Sequence, residues 1–350
     1  MARGTSFGSS RSPEKGPCSS YLRGPFHHFR PVRPGEKPVA ARPRFADDAG
    51  MTAGAIYQHP LAYLLGLEGV ALMRATAGEH DEAFVSERIA EVRELLAAPS
   101  HWGEGVTLSP LTAAEAYDAW APSYDAPNSL FEYEEGVVGP ILEALVPGVA
   151  VDAACGTGRH ARALATRGHE VHGFDVSPGM LDVARSHLPA AHLEVADVSA
   201  LPMPDGSADL MVNTLALAHV EDLGPVFAEA ARVLRPGGHL VISDSRSLFV
   251  GCRLYPLVKQ TLDGRVGYLP TWRHGVGEYL RAALAHGFEA LACAEPVREP
   301  LDADDWDPPE VPEPGEPPNP WGLMPVVPQA TWATYLGTPA LLVWHFRRRA

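Results

Sequence analysis

The sequence predicts an α/β protein, a buried and largely parallel sheet with helices on both faces. Two observations predict it. From residue 148 onward, short apolar runs rich in Val, Ile, Leu and Ala alternate with segments of helical period. The runs are apolar almost continuously, as strands covered on both faces must be. An apolar content of 46% supplies enough material for such a core.

The elements read as follows. VAVDAAC is a strand and RHARALATRG a helix ending at Gly168. EVHGFDV is a strand, and PGMLDVARSHL a helix with Pro178 in its first turn. HLEVADV and ADLMVNTL are strands. EDLGPVFAEAARVL is a helix halted by Arg235-Pro236-Gly237-Gly238, and HLVISDS is the next strand. GVGEYLRAALAHG is a helix, ALACAEPVRE a strand, and LLVWHF, residues 341–346, a final strand. Upstream, TAAEAYDAWAPSYD is a short helix broken at Pro122, and FEYEEGVVGPILEALV is a second helix.

Three regions follow. Residues 1–50 carry nine Lys and Arg against four Asp and Glu, seven prolines, and no apolar period, and read as a disordered tail. A native start at Met51 is a competing account of them. Residues 51–110 read as a helical extension. Within it HPLAYLLGLEGVALMRATAG is apolar around much of its circumference and so has to be buried. DEAFVSERIAEVRELLAA has Asp81 as N-cap and Pro99 as stop. This pair, residues 60–98, suits a homodimer contact, a cap, or packing on the main domain. Residues 111–350 form that domain, and residues 300–339, acidic and rich in Pro and Trp, read as an insertion or lid.

The net charge is −15, which argues against a nucleic-acid partner. No run has the 18 or so apolar residues of a membrane span. The four cysteines are far apart, without a CxxC pair. That spacing suggests neither a disulfide framework nor a metal site, and cytoplasmic localisation is expected.

The chemistry concentrates in VDAACGTGRH, residues 151–160. A strand ends at Asp152 and a helix starts near Arg159. Gly156 and Gly158 let the backbone between them approach a ligand, and amides at the helix N-terminus favour an anionic group. The dinucleotide pattern G-x-G-x-x-G/A is met by Gly156, Gly158 and Ala161. Asp175, 19 residues beyond Gly156, is placed for ribose hydroxyls. An NAD-dependent oxidoreductase therefore stays open at this point.

The later pattern is more specific. The third strand ends at Asp197 in EVADVSALPMPDGSADLMV, and VLRPGGHLVISD introduces the fifth. With these, residues 112–250 resemble the class I S-adenosylmethionine-dependent methyltransferases, in the branch of the ubiquinone and menaquinone methyltransferases. The resemblance implies a Rossmann-like sheet of seven mostly parallel strands, the last antiparallel. It implies S-adenosylmethionine as cofactor and methyl transfer to a small organic acceptor, at oxygen or carbon. It places Asp152, Cys155, Gly156 and Gly158 at the methionine end, and Asp175 on the ribose. Met180, Asp197 and Val198 fall at the adenine, and the main chain at Leu215 at the amino-acid end. Tyr117 and Tyr124, in YDAWAPSYD, match a helix that closes over the cofactor. A non-catalytic, cofactor-binding regulatory module is a further alternative.

Any general base is expected at the C-terminal edge of the sheet. His219, in LALAHVED after the fourth strand, and His274, in TWRHG, are the candidates, since histidine accepts a proton near neutral pH.

Overall fold

The computed structural model describes residues 54–246, 251–297 and 320–350. The tail, residues 1–50, lies outside them, as do Trp306 and the larger part of the Pro-rich segment.

The chain enters through β1 (Ile56–Gln58), α1 (Pro60–Thr76), α2 (Glu82–Ala97) and β2 (Val106–Leu108). Asp81 caps α2 by accepting from the Phe84 amide at 2.9 Å. The extension is not wholly helical, because β1 and β2 pair as an antiparallel ribbon. Three-residue strands give too short a pattern to be read against a helical background.

Next come α3 (Ala113–Trp120) and α4 (Ser129–Glu143). The alternating part follows as β3 (Val149–Ala153), α5 (Arg159–Thr166), β4 (Glu170–Asp175), α6 (Pro178–His187), β5 (His192–Val195), β6 (Ala208–Thr214), α7 (Leu223–Val233) and β7 (Leu234–Ser245). A hairpin, β8 (Leu254–Gln260) and β9 (Val266–Trp272), precedes α8 (Val276–Ala285) and β10 (Phe288–Ala294). The short helices α9 (Pro320–Leu323) and α10 (Pro328–Tyr335) lead to β11 (Leu341–Arg348).

The seven-stranded sheet has the order β10-β11-β7-β6-β3-β4-β5. Strands β7, β6, β3, β4 and β5 are parallel, and β11 runs antiparallel to β7 and to β10. Each of the seven expected strands is present. The order reverses between β3 and β6, where open α/β sheets bind ligands beyond the strand ends.

Apolar layers cover both faces. On one, Phe227 of α7 and Tyr279 of α8 pack over Met211, Ile242 and Trp344. On the other, Val138 of α4 and Leu164 of α5 pack over Leu210, Val241 and Val343.

A third core joins the extension to the end of the Pro-rich segment. Leu64, Leu67 and Ala71 of α1 pack with Leu323, Val327, Ala330 and Ala333. Arg74 donates to the carbonyls of Ala333 and Leu336 at 2.6 and 2.7 Å, capping the C-terminus of α10. Residues 320–336 are thus an ordered helical part of the fold. One apolar face of α1, Leu64, Leu67 and Ala71, is covered within its own chain, while Met73 stays exposed.

Candidate cofactor and acceptor site

Ala154 and Leu215 are the non-glycine residues with positive φ among those described, at 63° and 55°. They follow β3 and β6, the two neighbours at the switch point. Left-handed backbone costs about 1–2 kcal/mol for a residue with a Cβ and collects at functional sites. At the same turn, Gly156 and Gly158 have φ of 54° and 86°. A Cβ on Gly156 would meet nothing within 4 Å, whereas one on Gly158 would stand 3.0 Å from Leu188 Cδ1. Gly156 therefore opens onto free space, and Gly158 lets the turn pack on the segment after α6.

Asp175, at the end of β4, joins two loops. Its Oδ2 accepts from the Gly156 amide at 2.8 Å and its Oδ1 from the Ser177 amide at 2.9 Å. Burial raises its pKa, opposed by the amides of Ser177, Gly156 and Val176. The neighbouring Asp152 is 1% exposed, and neither carboxylate oxygen makes a hydrogen bond of ordinary geometry. Burial pushes its pKa up to about 6, against His160, the Ala161 amide and Arg159. The Cys155 thiol is raised by burial and by Asp152 and Asp175, which excludes a ready thiolate.

The remaining positions lie along the same edge. Asp197 is exposed, and its Oδ1 accepts from the Ser199 amide and hydroxyl at 2.8 and 2.6 Å. Val198 packs against the first core. Met180 is fully buried in α6. The Leu215 amide donates to the Ser243 carbonyl at 2.8 Å.

The helix carrying Tyr117 is clamped onto this edge by two acids. Asp118 accepts from the Ser177 hydroxyl at 2.6 Å and from the Gly179 amide at 2.8 Å, at the start of α6. Asp125 accepts from the Thr157 hydroxyl at 2.6 Å, inside the Gly-rich turn. Glu134 of α4 adds a buried clamp, receiving Arg159 at 2.7 Å, His160 at 3.0 Å and the Ser243 hydroxyl at 2.8 Å. None of the three acids is among the site residues expected from the sequence. Asp118 and Asp125 did carry a signal, since each follows a tyrosine and they lie seven residues apart.

The aromatic side chains form a wall. Tyr117 stacks on Trp120 with centroids 5.8 Å apart. Tyr124 meets Trp120 at 4.9 Å and Phe131 at 5.2 Å. At one end, His219 Nδ1 donates to the Pro270 carbonyl at 3.2 Å, which fixes the tautomer and leaves Nε2 to accept from the Tyr117 hydroxyl at 2.8 Å. Burial lowers the pKa of His219 to about 4, with Lys259 adding in the same direction. His274 sits deeper. Its Nε2 donates to the Val220 carbonyl at 2.7 Å, and its ring meets Tyr279, whose hydroxyl donates to Asp244. Asp244, raised to about 6 by burial, also accepts from the Ala218 amide at 3.1 Å.

Comparison with known proteins accords with this geometry. Residues 151–242 match the family model of a methyltransferase domain. A malonyl-[acyl-carrier protein] O-methyltransferase of Serratia marcescens is 37% identical over 139 residues, 39% of this chain and 54% of its own. A demethylmenaquinone methyltransferase of Renibacterium salmoninarum is 33% identical over 39% of this chain and 59% of its own. An uncharacterized methyltransferase of Emericella nidulans is 30% identical over 240 residues, 56% of this chain and 83% of its own. The chain belongs to the class I S-adenosylmethionine-dependent methyltransferases. It spans about half the length of the malonyl-[acyl-carrier protein] relatives. None of these relatives supports the dinucleotide reading of Gly156, Gly158 and Ala161.

Proposed function

We propose that the protein transfers a methyl group from S-adenosylmethionine to a small organic acceptor, at oxygen or carbon. The observation that carries this is Asp152. A buried carboxylate held only by the Ala161 amide at poor geometry and by the nearby charges of His160 and Arg159 keeps acceptor capacity that a ligand bringing a donor can use. It lies in β3, immediately before the turn that carries Gly156, and a methionine ammonium is such a donor. The group fits the residues present.

Asp152, the turn Cys155–Gly158 and the main chain at Leu215 hold the methionine end. Asp175 holds the ribose with the oxygen lone pairs that the Gly156 and Ser177 amides leave free. Asp197, Val198 and Met180 serve the adenine. Tyr117 and Tyr124 close the site and exclude water. The bound cofactor supplies a methyl group on a sulfonium, already activated, so the protein's part is proximity and alignment.

His219 is neutral, and its Nε2 lone pair is occupied by Tyr117. It accepts a proton only through that hydroxyl, as a weak base, which suits an acceptor that arrives ionised. His274, committed to Val220, positions the 217–220 turn. The named relatives act on malonyl-acyl carrier protein and demethylmenaquinone, and both support an organic acceptor over a nucleic acid. Free thiols at Cys155 and Cys293 suit the cytoplasm. Among the described residues no helix is long and apolar enough to cross a membrane. With the apolar face of α1 covered, a homodimer through residues 60–98 would rest on exposed Met73, Ile89 and Leu96. Light scattering at increasing concentration tests it.

The test of the function is calorimetric titration with S-adenosylmethionine, S-adenosylhomocysteine and NADH, followed by transfer of labelled methyl to metabolite pools. The first two should bind. Binding of NADH alone would refute the proposal, and binding without transfer to any pool would favour a regulatory module.

A further inference from the structure

Lys259 lies near the end of β8, where the hairpin meets α3. Its ammonium stands 3.1 Å from the centroid of Trp120. Among the described residues it forms no ion pair and no hydrogen bond. Its cross-strand neighbour is Gly267, which brings no side chain to pair with it. Two other sheltered cations among the described residues, Arg88 and Arg246, are by contrast paired with carboxylates. Arg88 meets Glu68 at 3.2 Å, and Arg246 meets the His274 carbonyl and Glu295. A cation drawn from water with an aromatic face as its sole partner is costly unless an anion joins it. Burial lowers the pKa of Lys259 to about 8, so it remains largely protonated at neutral pH.

Its position relates it to the site. Trp120 touches both Lys259 and Tyr117, whose hydroxyl reaches His219, and the charge of Lys259 is felt at His219. An anion paired with this ammonium would lie along the aromatic wall, on the hairpin side of the cofactor turn.

We propose that Lys259 recognises the methyl acceptor, and that the acceptor is an organic anion whose carboxylate pairs with its ammonium while Trp120 walls the apolar part. This rests on the methyltransferase reading. It goes further by assigning the acceptor's charge and the residue that selects it.

The test titrates the S-adenosylhomocysteine-loaded protein with malonate and benzoate, and with the matched neutral amides, malonamide and benzamide. At least one carboxylate should bind about ten-fold or more tightly than its amide, and 0.5 M salt should weaken that preference. Lys259→Met should abolish the preference, Lys259→Arg should keep it, and neither should change S-adenosylhomocysteine affinity by more than about two-fold. Carboxylates that bind no more tightly than amides, or not at all, would overturn the proposal, as would a preference that survives Lys259→Met. If Lys259→Met loses S-adenosylhomocysteine binding, the wild-type preference and its salt dependence decide. A wild-type protein unable to bind S-adenosylhomocysteine would overturn the methyltransferase reading and this proposal with it.

Discussion

The hydroxyl of Tyr117 donates to His219 Nε2 across 2.8 Å, joining residues 102 positions apart in the chain. The bond couples α3 to the turn after β6. It also sets the chemistry of the histidine, because a lone pair held by Tyr117 and a ring sheltered from water both favour the neutral form.

This gives a pH prediction. The folded-state pKa of His219, about 4, lies below the ordinary 6.5. As pH falls the unfolded chain takes up this proton first. The contribution of His219 to stability is therefore complete above about 6.5 and lost between there and 4, by up to about 3 kcal/mol. Asp152 and Asp244, raised to about 6, work in the opposite sense over the same range. Whole-protein unfolding would thus hide the effect, and the comparison with His219→Gln reveals it. Urea unfolding at pH 7.5 and 5 should show the variant gaining on the wild type as pH falls. A constant difference would place His219 in contact with water.

Asp118 should matter for cofactor binding without touching the cofactor. Removing its two hydrogen bonds, by Asp118→Ala, should cost about 2–3 kcal/mol of stability. It should also weaken S-adenosylhomocysteine binding, because α3 is released from α6. Thermal unfolding with and without S-adenosylhomocysteine measures both. A variant that loses stability and binds as before would show that α3 takes no part in closure.

Asp175→Ala should weaken cofactor affinity by about 1.5–3 kcal/mol, the scale of charged hydrogen bonds. Since Asp175 also holds the Gly156 and Ser177 amides, part of that loss comes from a loosened turn. Asp175→Asn keeps one acceptor oxygen and should lose less than alanine. Equal losses in calorimetric titration would assign the whole effect to the charge.

Ala154 carries a left-handed φ of 63°. Replacing it with glycine should stabilise the protein by about 0.5–1 kcal/mol, relief of strain outweighing the added freedom of the unfolded chain. Ala153, the preceding residue, lies in β3 and packs in the first core. The same change there should destabilise by a similar amount. Chemical denaturation of the two variants checks this, and destabilisation by Ala154→Gly would show that the methyl makes a contact worth more than the strain.

The sheet, the two helices of the extension and the glycine turn are legible in the sequence. These depend on apolar period, caps and backbone freedom, all local properties. It also pointed to Asp152, Asp175 and Asp197 by their places at strand ends. The remainder depends on contacts between elements distant in the chain. The two ribbons, β1–β2 and β8–β9, are too short or too mixed in pattern to be read without their partners. Burial of one face of α1 against α10, more than 250 positions later, makes that face part of an internal core. The same holds for the site. Which histidine is held by a tyrosine, which acids clamp α3, and that Lys259 faces a tryptophan with no counter-ion among the described residues are facts of distance across elements. Hydrogen bonds and burial create them only once the sheet has brought its strand ends together.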